Sequence, residues 1–431
     1  MAFQKDFLWG VSGAAAQQDG AYLEDGKGLD IWNPPFTDGR IRNNGENTVA
    51  CDHYHRWKED LKLLKEIGVN TYRFSISLAR IYPTDEYTVN EEGVKFYKEL
   101  VAELKKLNIE PLVTLYHWDM PLWLFKRGGW KTSLAVEWFE RYVKTIVDAL
   151  SDTVKYWITF NEPQCFIAMG YGTGGHSPFE KVEKSELHNI SRNVMLAHGK
   201  AVKTIRSNAK ITPKISFAPT YGELKMPNTP DEEQCAYEYS FDIKNGEAFN
   251  AAWWSDPIIL GKAPFGCDWL SDEDLKEICQ PLDFYAYNIY NSRYYGKKEF
   301  SGAPRTAMGW TITPECIYWS AKFLYKRYGL PIMISENGMA NIDFVYEDGK
   351  VHDPQRSEYL RTYLKQLKKA NDEGVPVIGY SMWSFLDNFE WAEGYYPRFG
   401  LVYVDYATQK RIVKDSAYYY REIIENNGEN L

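Results

Sequence analysis

Eight short apolar or β-branched runs recur along this chain, at 7–10, 71–76, 111–115, 156–160, 214–218, 284–287, 331–334 and 377–382. The run Pro331-Ile332-Met333-Ile334 is typical: it has no charge and no polar alternation. That is the pattern of a parallel strand buried on both faces. Between the runs lie amphipathic segments at 53–67, 92–107, 133–150, 187–207, 314–328 and 354–373. The first gathers Trp57, Leu61 and Leu64 on one face and charges on the other. Pro314 and Pro354 stand where a first helical turn begins. Strand-helix alternation repeated eight times predicts an α/β fold, a (β/α)8 TIM barrel. No Ser/Gly-rich or charged spacer interrupts it, so residues 1–431 are expected to form one domain. The chain exceeds the roughly 250 residues typical of such a barrel. The surplus is expected in elaborated βα loops, among them 224–231, 297–307 and 341–353, which are polar and carry Gly, Pro or Asp.

Composition narrows the function classes. The net charge of −9 argues against nucleic acid or an anionic membrane as partner, since both select basic patches. The six cysteines, at 51, 165, 235, 267, 279 and 316, form no CxxC pair, so no metal site is expected. Such scattered thiols suit a reducing cytoplasm. The opening Met-Ala-Phe-Gln-Lys-Asp-Phe has no apolar core of a signal peptide, and no run reaches the roughly 18 apolar residues of a membrane span. Aromatic content is high, with 15 Trp and 32 Tyr. Much of it can be core, but aromatic faces also stack on sugar rings.

In a (β/α)8 barrel the active site lies at the C-terminal ends of the strands. Reading those ends in order gives Gln17, Arg73, then His117, Trp118 and Asp119, then Asn161 and Glu162. Asn288 and Tyr290, Glu336, and finally Trp383, Glu390 and Trp391 complete the series. Taken singly, either Glu162 or Glu336 reads as a capping or solvated residue. Together, at the ends of two parallel strands, they suggest acid/base and nucleophilic chemistry on a sugar. The set contains no phosphate-binding glycine loop, no Cys/His ligand group and no Ser-His-Asp arrangement. No cofactor is therefore expected, and the inventory suits a neutral, hydroxyl-rich ligand. His53 and His55 read as structural, and His176 is expected to border the entrance.

These residues lie in motifs that resemble those of the family 1 glycoside hydrolases, the retaining β-glucosidases. The motifs are Phe7-Leu8-Trp9-Gly10, Tyr72-Arg73-Phe74-Ser75, Thr114-Leu115-Tyr116-His117-Trp118-Asp119 and Thr159-Phe160-Asn161-Glu162-Pro163. Glu336-Asn337-Gly338, Trp383-Ser384-Phe385-Leu386-Asp387-Asn388-Phe389-Glu390-Trp391 and Arg398-Phe399-Gly400-Leu401 follow in the family's order. The resemblance implies Glu336 as nucleophile and Glu162 as acid/base, with carboxyls about 5–5.5 Å apart. Arg73 and Tyr290 would hold Glu336 as a carboxylate. The charge of Glu336 would keep Glu162 protonated until the glycosyl ester forms. Asn161 would bind the sugar 2-OH, and Gln17, His117 and Glu390 other hydroxyls. Trp383 would lie under the ring with Trp391 beside it, and Trp118, Asn288 and Phe399 would complete the substrate-binding set. The partner implied is a small β-glucoside or oligosaccharide, with galactosides and fucosides left open, as is self-association.

The chain departs from the family pattern at Ala16, Asp19, Leu78, Ser335 and Tyr363, none of them one of the two carboxylates. Two alternatives stand beside hydrolysis of plain glucosides. A silent sugar-binding protein would have replaced a carboxylate. A phosphoglucosidase typically has serine where Glu390 stands, with a lysine and a tyrosine downstream. Here Glu390 would repel a 6-phosphate, Phe399 occupies the tyrosine position, and no lysine is evident near Pro397. A thioglucosidase lacks the acid that Glu162 supplies.

Overall fold

The computed structural model describes residues 2–37, 39–221 and 223–431. Eight strands form the central sheet: β1 (Leu8–Ser12), β2 (Thr71–Ser75), β3 (Glu110–Tyr116), β4 (Tyr156–Asn161), β5 (Lys214–Ala218), β6 (Tyr285–Asn288), β7 (Ile332–Asn337) and β8 (Val377–Trp383). They pair in parallel in the order β5-β4-β3-β2-β1-β8-β7-β6. The ring is nearly closed. Across the remaining seam, Asp283 N donates to Ile215 O at 2.9 Å and Asn288 N to Pro219 O at 3.0 Å. Ser216 Oγ accepts from Ala286 N at 2.9 Å, so a side chain stands in for ladder backbone.

Each strand is followed by a helix that packs on the outside: α1 (His53–Ile67), α2 (Glu91–Lys106), α3 (Ser133–Leu150), α4 (Lys184–Asn208), α5 (Asp272–Ile278), α6 (Glu315–Tyr328), α7 (Pro354–Asp372) and α8 (Asp415–Glu425). The helices bury one stripe each. In α3 it is Trp138, Phe139, Tyr142, Val143, Ile146 and Val147. A fully buried side chain of this size contributes about 1.5–3 kcal/mol, so each stripe anchors its helix firmly. The α1 stripe ends at Gly68, whose φ of 84° only glycine adopts readily.

Inside the ring, Leu8, Leu112, Ile158, Ala218, Ala286, Met333 and Ile378 form a separate apolar plug. They come from every strand except β2. That strand instead sends in Arg73, which is 1% exposed. A guanidinium above an apolar plug must be paired, because an unpaired buried charge is costly.

All eight expected runs fall on these strands. The C-terminal ends differ most: β7 runs on through Glu336 and Asn337, so that glutamate sits on the strand rather than beyond it. The excursion between β5 and β6 was not anticipated. It holds Glu233–Phe241 and Ala251–Ser255 as well as α5. Helix α8 and the antiparallel hairpin Val402–Asp405/Lys410–Val413 were also unforeseen. Within the expected loop 224–231, Lys225–Met226 pairs with Arg293–Tyr294 as a two-stranded ribbon.

Candidate active site

The two glutamates are joined by one buried network. Arg73 donates from Nη1 to Glu336 Oε1 and from Nη2 to Asn161 Oδ1 at 2.7 Å. Its Nε donates to Thr114 Oγ1 at 3.0 Å. Asn288 Nδ2 donates to Asn161 Oδ1 at 2.9 Å and to Glu162 Oε1 at 2.8 Å. Tyr290 Oη donates to Glu336 Oε2 at 2.6 Å. Glu162 and Glu336 are 7% and 3% exposed, and both line the same cavity of about 610 Å3.

Local backbone aims these groups. The pairing of β4 with β5 is irregular between Ile158 and Asn161. Glu162 then adopts φ 40°, and its N–H donates to Ala218 O at 2.7 Å. Pro163 follows, and a wide helical stretch, Gln164–Thr173, turns the chain away. Two further cavity residues share the left-handed region, Trp118 at φ 77° and Trp391 at φ 50°. After Glu336 and Asn337, Gly338 passes so close to Trp383 that a Cβ there would lie 1.9 Å from its carbonyl oxygen. That approach brings the ends of β7 and β8 together.

The loop after β8 rests on buried charges. Asp387 accepts from Arg398 Nη1 at 2.8 Å and from Lys414 Nζ at 2.7 Å. Lys414 also reaches Asp343 at 2.6 Å, which Arg356 holds at 2.7 Å. From this base the loop delivers Glu390, whose Oε2 accepts from Gln17 Nε2 at 3.3 Å.

Burial, and then the charge of Glu336, push the Glu162 carboxyl up to about 7. Hydrogen bonds from Cys165 and Asn288 and the charge of Arg73 oppose that rise. Glu390 keeps part of its surface open to the cavity, yet its carboxyl is walled in. Burial, with Glu336 and Glu162 behind it, pushes it up to about 8. Burial also drives His117 well below the ordinary imidazole range, so it is neutral. Its Nε2 accepts from Asn161 Nδ2 at 3.1 Å, which puts the ring proton on Nδ1. That Nδ1 and Gln17 Oε1 are buried without a protein partner. Buried polar atoms left this way are expected to meet a ligand or water.

The cavity is lined by His117, Trp118, Asn161, Glu162, His176, Tyr290, Glu336, Trp383, Glu390, Trp391 and Phe399, among others. Trp118 donates from Nε1 to Asn161 O at 2.9 Å. Trp383 and Phe399 share a small apolar cluster with Ala14 and Ala340. Three expected residues lie behind the lining: Gln17, Arg73 and Asn288. Both Nδ2 bonds of Asn288 go to protein, and its Oδ1 accepts from Ser335 Oγ at 2.7 Å. Its amide is thus held by protein groups on both sides. Asp119 turns away and accepts from Leu78 N at 3.2 Å.

Sequence reasoning missed Cys165, whose Sγ lies 3.0 Å from Glu162 Oε2. It also missed the outer wall, made by Met169, Glu223, Lys225, Phe249, Arg293 and Trp310. No spacing rule marks loop residues of this kind. The lining cations are Lys225 and Arg293, on the loops after β5 and β6 rather than beside Glu390.

The sequence profile of Glycosyl hydrolase family 1 matches residues 1–429. Beta-glucosidase A of Thermotoga maritima is 41% identical over 99% of this chain and 98% of that protein. The 1,4-beta-D-glucan glucohydrolase of Thermotoga neapolitana is 40% identical over 99% of each chain. The solved structure of the Thermotoga maritima beta-glucosidase in complex with noeuromycin superposes with a TM-score of 0.90, at 40% identity and 99% coverage of both chains. With the fold and this full-length likeness in agreement, the chain belongs to glycosyl hydrolase family 1.

Proposed function

We propose that this protein hydrolyses non-phosphorylated β-D-glucosides from the non-reducing end by a retaining double displacement. The observation that carries the reading is the network Arg73–Asn161–Asn288, which ties Glu336 to Glu162 across the barrel mouth. In the first step a Glu336 oxygen attacks the anomeric carbon. The bond to the leaving oxygen breaks, and that oxygen takes the proton of Glu162. In the second step water gives its proton to Glu162 and its oxygen to the anomeric carbon, and the ester to Glu336 breaks. Two donors, Arg73 and Tyr290, favour Glu336 as the carboxylate the first step needs. Forming the ester removes the negative charge that helps keep Glu162 protonated, which frees Glu162 to act as base.

Asn161 is the candidate for the 2-OH, a contact that strengthens at the transition state. His117 Nδ1–H can donate to a hydroxyl, Gln17 Oε1 can accept, and Glu390 can accept from one or two hydroxyls. Trp383 and Trp391 supply ring faces, with Trp118 and Phe399 closing the wall. Asn288 acts through Glu162. In the outer cavity Lys225 Nζ donates to Glu223 Oε2 at 3.3 Å, and Trp310 adds a face. Donor, acceptor and face suit a hydroxyl-rich leaving group, so short β-linked oligosaccharides join small glucosides as substrates. Galactosides and fucosides, which differ from glucosides at one or two ring positions, are the further substrates to screen.

A screen of nitrophenyl glycosides, with and without a 6-phosphate, tests the substrate class. The plain β-glucoside should be cleaved and the 6-phosphate ignored, because the cations that line the cavity, Lys225 and Arg293, stand on the loops after β5 and β6 rather than on the Glu390 loop. Proton NMR tests the mechanism: β-glucose must appear first, and α-glucose first would overturn retention.

The chain is read as one catalytic domain over residues 1–431, with the cytoplasm as its compartment. Free thiols at all six cysteines fit that compartment. Among the described residues, no helix is long and apolar enough to cross a membrane.

A further inference from the structure

Cys165 touches Glu162, yet the double displacement leaves it without a task. It follows Glu162 by three residues, and its N–H donates to Glu162 O at 2.9 Å. That turn folds Sγ back to within 3.0 Å of Glu162 Oε2. The side chain is 8% exposed and lines the cavity. Burial pushes its thiol well above the ordinary range, with the charges of Glu162, Glu336 and Glu390 adding to the effect. Sulfur therefore keeps its proton throughout.

The two oxygens of Glu162 are not equivalent. Oε1 accepts from Asn288 Nδ2, and an amide N–H can only donate. Oε1 is thus held as an acceptor in both states of the carboxyl. The acid proton belongs on Oε2, the oxygen beside Cys165. When Glu162 is ionised, the S–H can donate to Oε2. When Oε2 carries the proton, the thiol must rotate, and sulfur becomes a weak acceptor. A thiol serves both states, whereas valine, which is close to cysteine in size, serves neither.

We propose that Cys165 is a positioning residue for the acid/base: its thiol holds Glu162 Oε2 in place and alternates between donor and acceptor as the proton leaves and returns. The inference rests on the proposed function, in which Glu162 carries that proton. The other groups facing Glu162 are Arg73 from β2, Asn288 from β6, Tyr290, Glu336 from β7 and Glu390 after β8. None of them bonds to Oε2.

The test compares Cys165→Val and Cys165→Ser with wild type in pH profiles of kcat/KM, on a nitrophenyl and an alkyl β-glucoside. Loss of a donor to the carboxylate favours its protonated form. In Cys165→Val the upper limb should move up by about half a pH unit, and the alkyl substrate should lose about three- to tenfold more than the nitrophenyl one. The serine hydroxyl is a stronger donor, so Cys165→Ser should keep the limb at or below its wild-type place and restore the alkyl substrate. A limb unmoved in Cys165→Val at wild-type Tm overturns the proposal, as does an equal upward shift in both variants. If Cys165→Val does not fold, Cys165→Ser decides alone: a limb that moves up, or an alkyl-selective loss, overturns it. Failure of the wild type to cleave either glucoside would instead remove the proposed function.

Discussion

Tyr290 and Glu336 meet at 2.6 Å, phenol oxygen to carboxylate Oε2, opposite the oxygen that Arg73 holds. The phenol is pushed well above its ordinary range, by burial first and then by the neighbouring carboxylates, so it donates a proton it will not lose. A hydrogen bond to a charged group is worth roughly 1.5–3 kcal/mol. Tyr290→Phe should therefore lower kcat/KM on nitrophenyl β-glucoside by roughly 10- to 100-fold, since about 1.4 kcal/mol is one decade. A loss below twofold would take Tyr290 out of the site.

Glu162→Gln separates the two halves of the reaction. A nitrophenolate leaves with little help from an acid, whereas an alkoxide does not. General acid catalysis typically contributes 10²–10⁴-fold. Turnover of alkyl glucosides should fall within that range, and the first step on nitrophenyl glucosides much less. Azide should restore turnover and give a β-glucosyl azide, because it attacks the ester without needing a base. Equal losses on both substrates with no azide product would strip Glu162 of its role.

The pH profile follows from the same carboxyl. In its proposed role Glu162 donates only while protonated, and its surroundings push it up to about 7. The upper limb of kcat/KM should fall near pH 7, as a macroscopic value of coupled groups. Glu162→Gln should lose that limb. Its survival would assign the acid to another residue.

Glu390 makes a prediction about stability. In the fold its carboxyl is pushed up to about 8, against roughly 4.3 in an open chain. Between those values the folded state binds more protons than the unfolded state, so this group's contribution falls as pH rises and is lost above about pH 8. Glu390→Gln keeps the shape and removes the titration. The Tm of the variant relative to wild type should rise from pH 5 to about pH 8 and level off above it in calorimetry, and a flat difference would refute it. Glu390→Ala should also lower kcat/KM for glucosides at least about tenfold through lost hydroxyl contacts.

Much of the frame was legible because a strand buried on both faces must be an unbroken apolar run, whatever its neighbours. The positions of Glu162 and Glu336 followed, since strand ends in a closed barrel converge. What could not be read was anything set by contact across the ring. That Asn288 spends its amide on Asn161 and Glu162 depends on the register of β4 and β6. That Cys165 meets Glu162 depends on a left-handed residue and a wide helical turn. The charge of Glu390 depends on what encloses it. The helices between β5 and β6 escaped because their apolar residues do not repeat cleanly on one face.

Glu162, Trp118 and Trp391 hold backbone angles that side-chain-bearing residues avoid, at about 1–3 kcal/mol each. Thermal endurance and turnover therefore pull residue 162 in opposite directions. Glycine at 162 would relax that backbone at the cost of the carboxyl that Asn288 and Cys165 hold. With Glu162 as the proposed acid/base, a barrel relaxed at that residue would be a hollow replica, holding a sugar without cutting it.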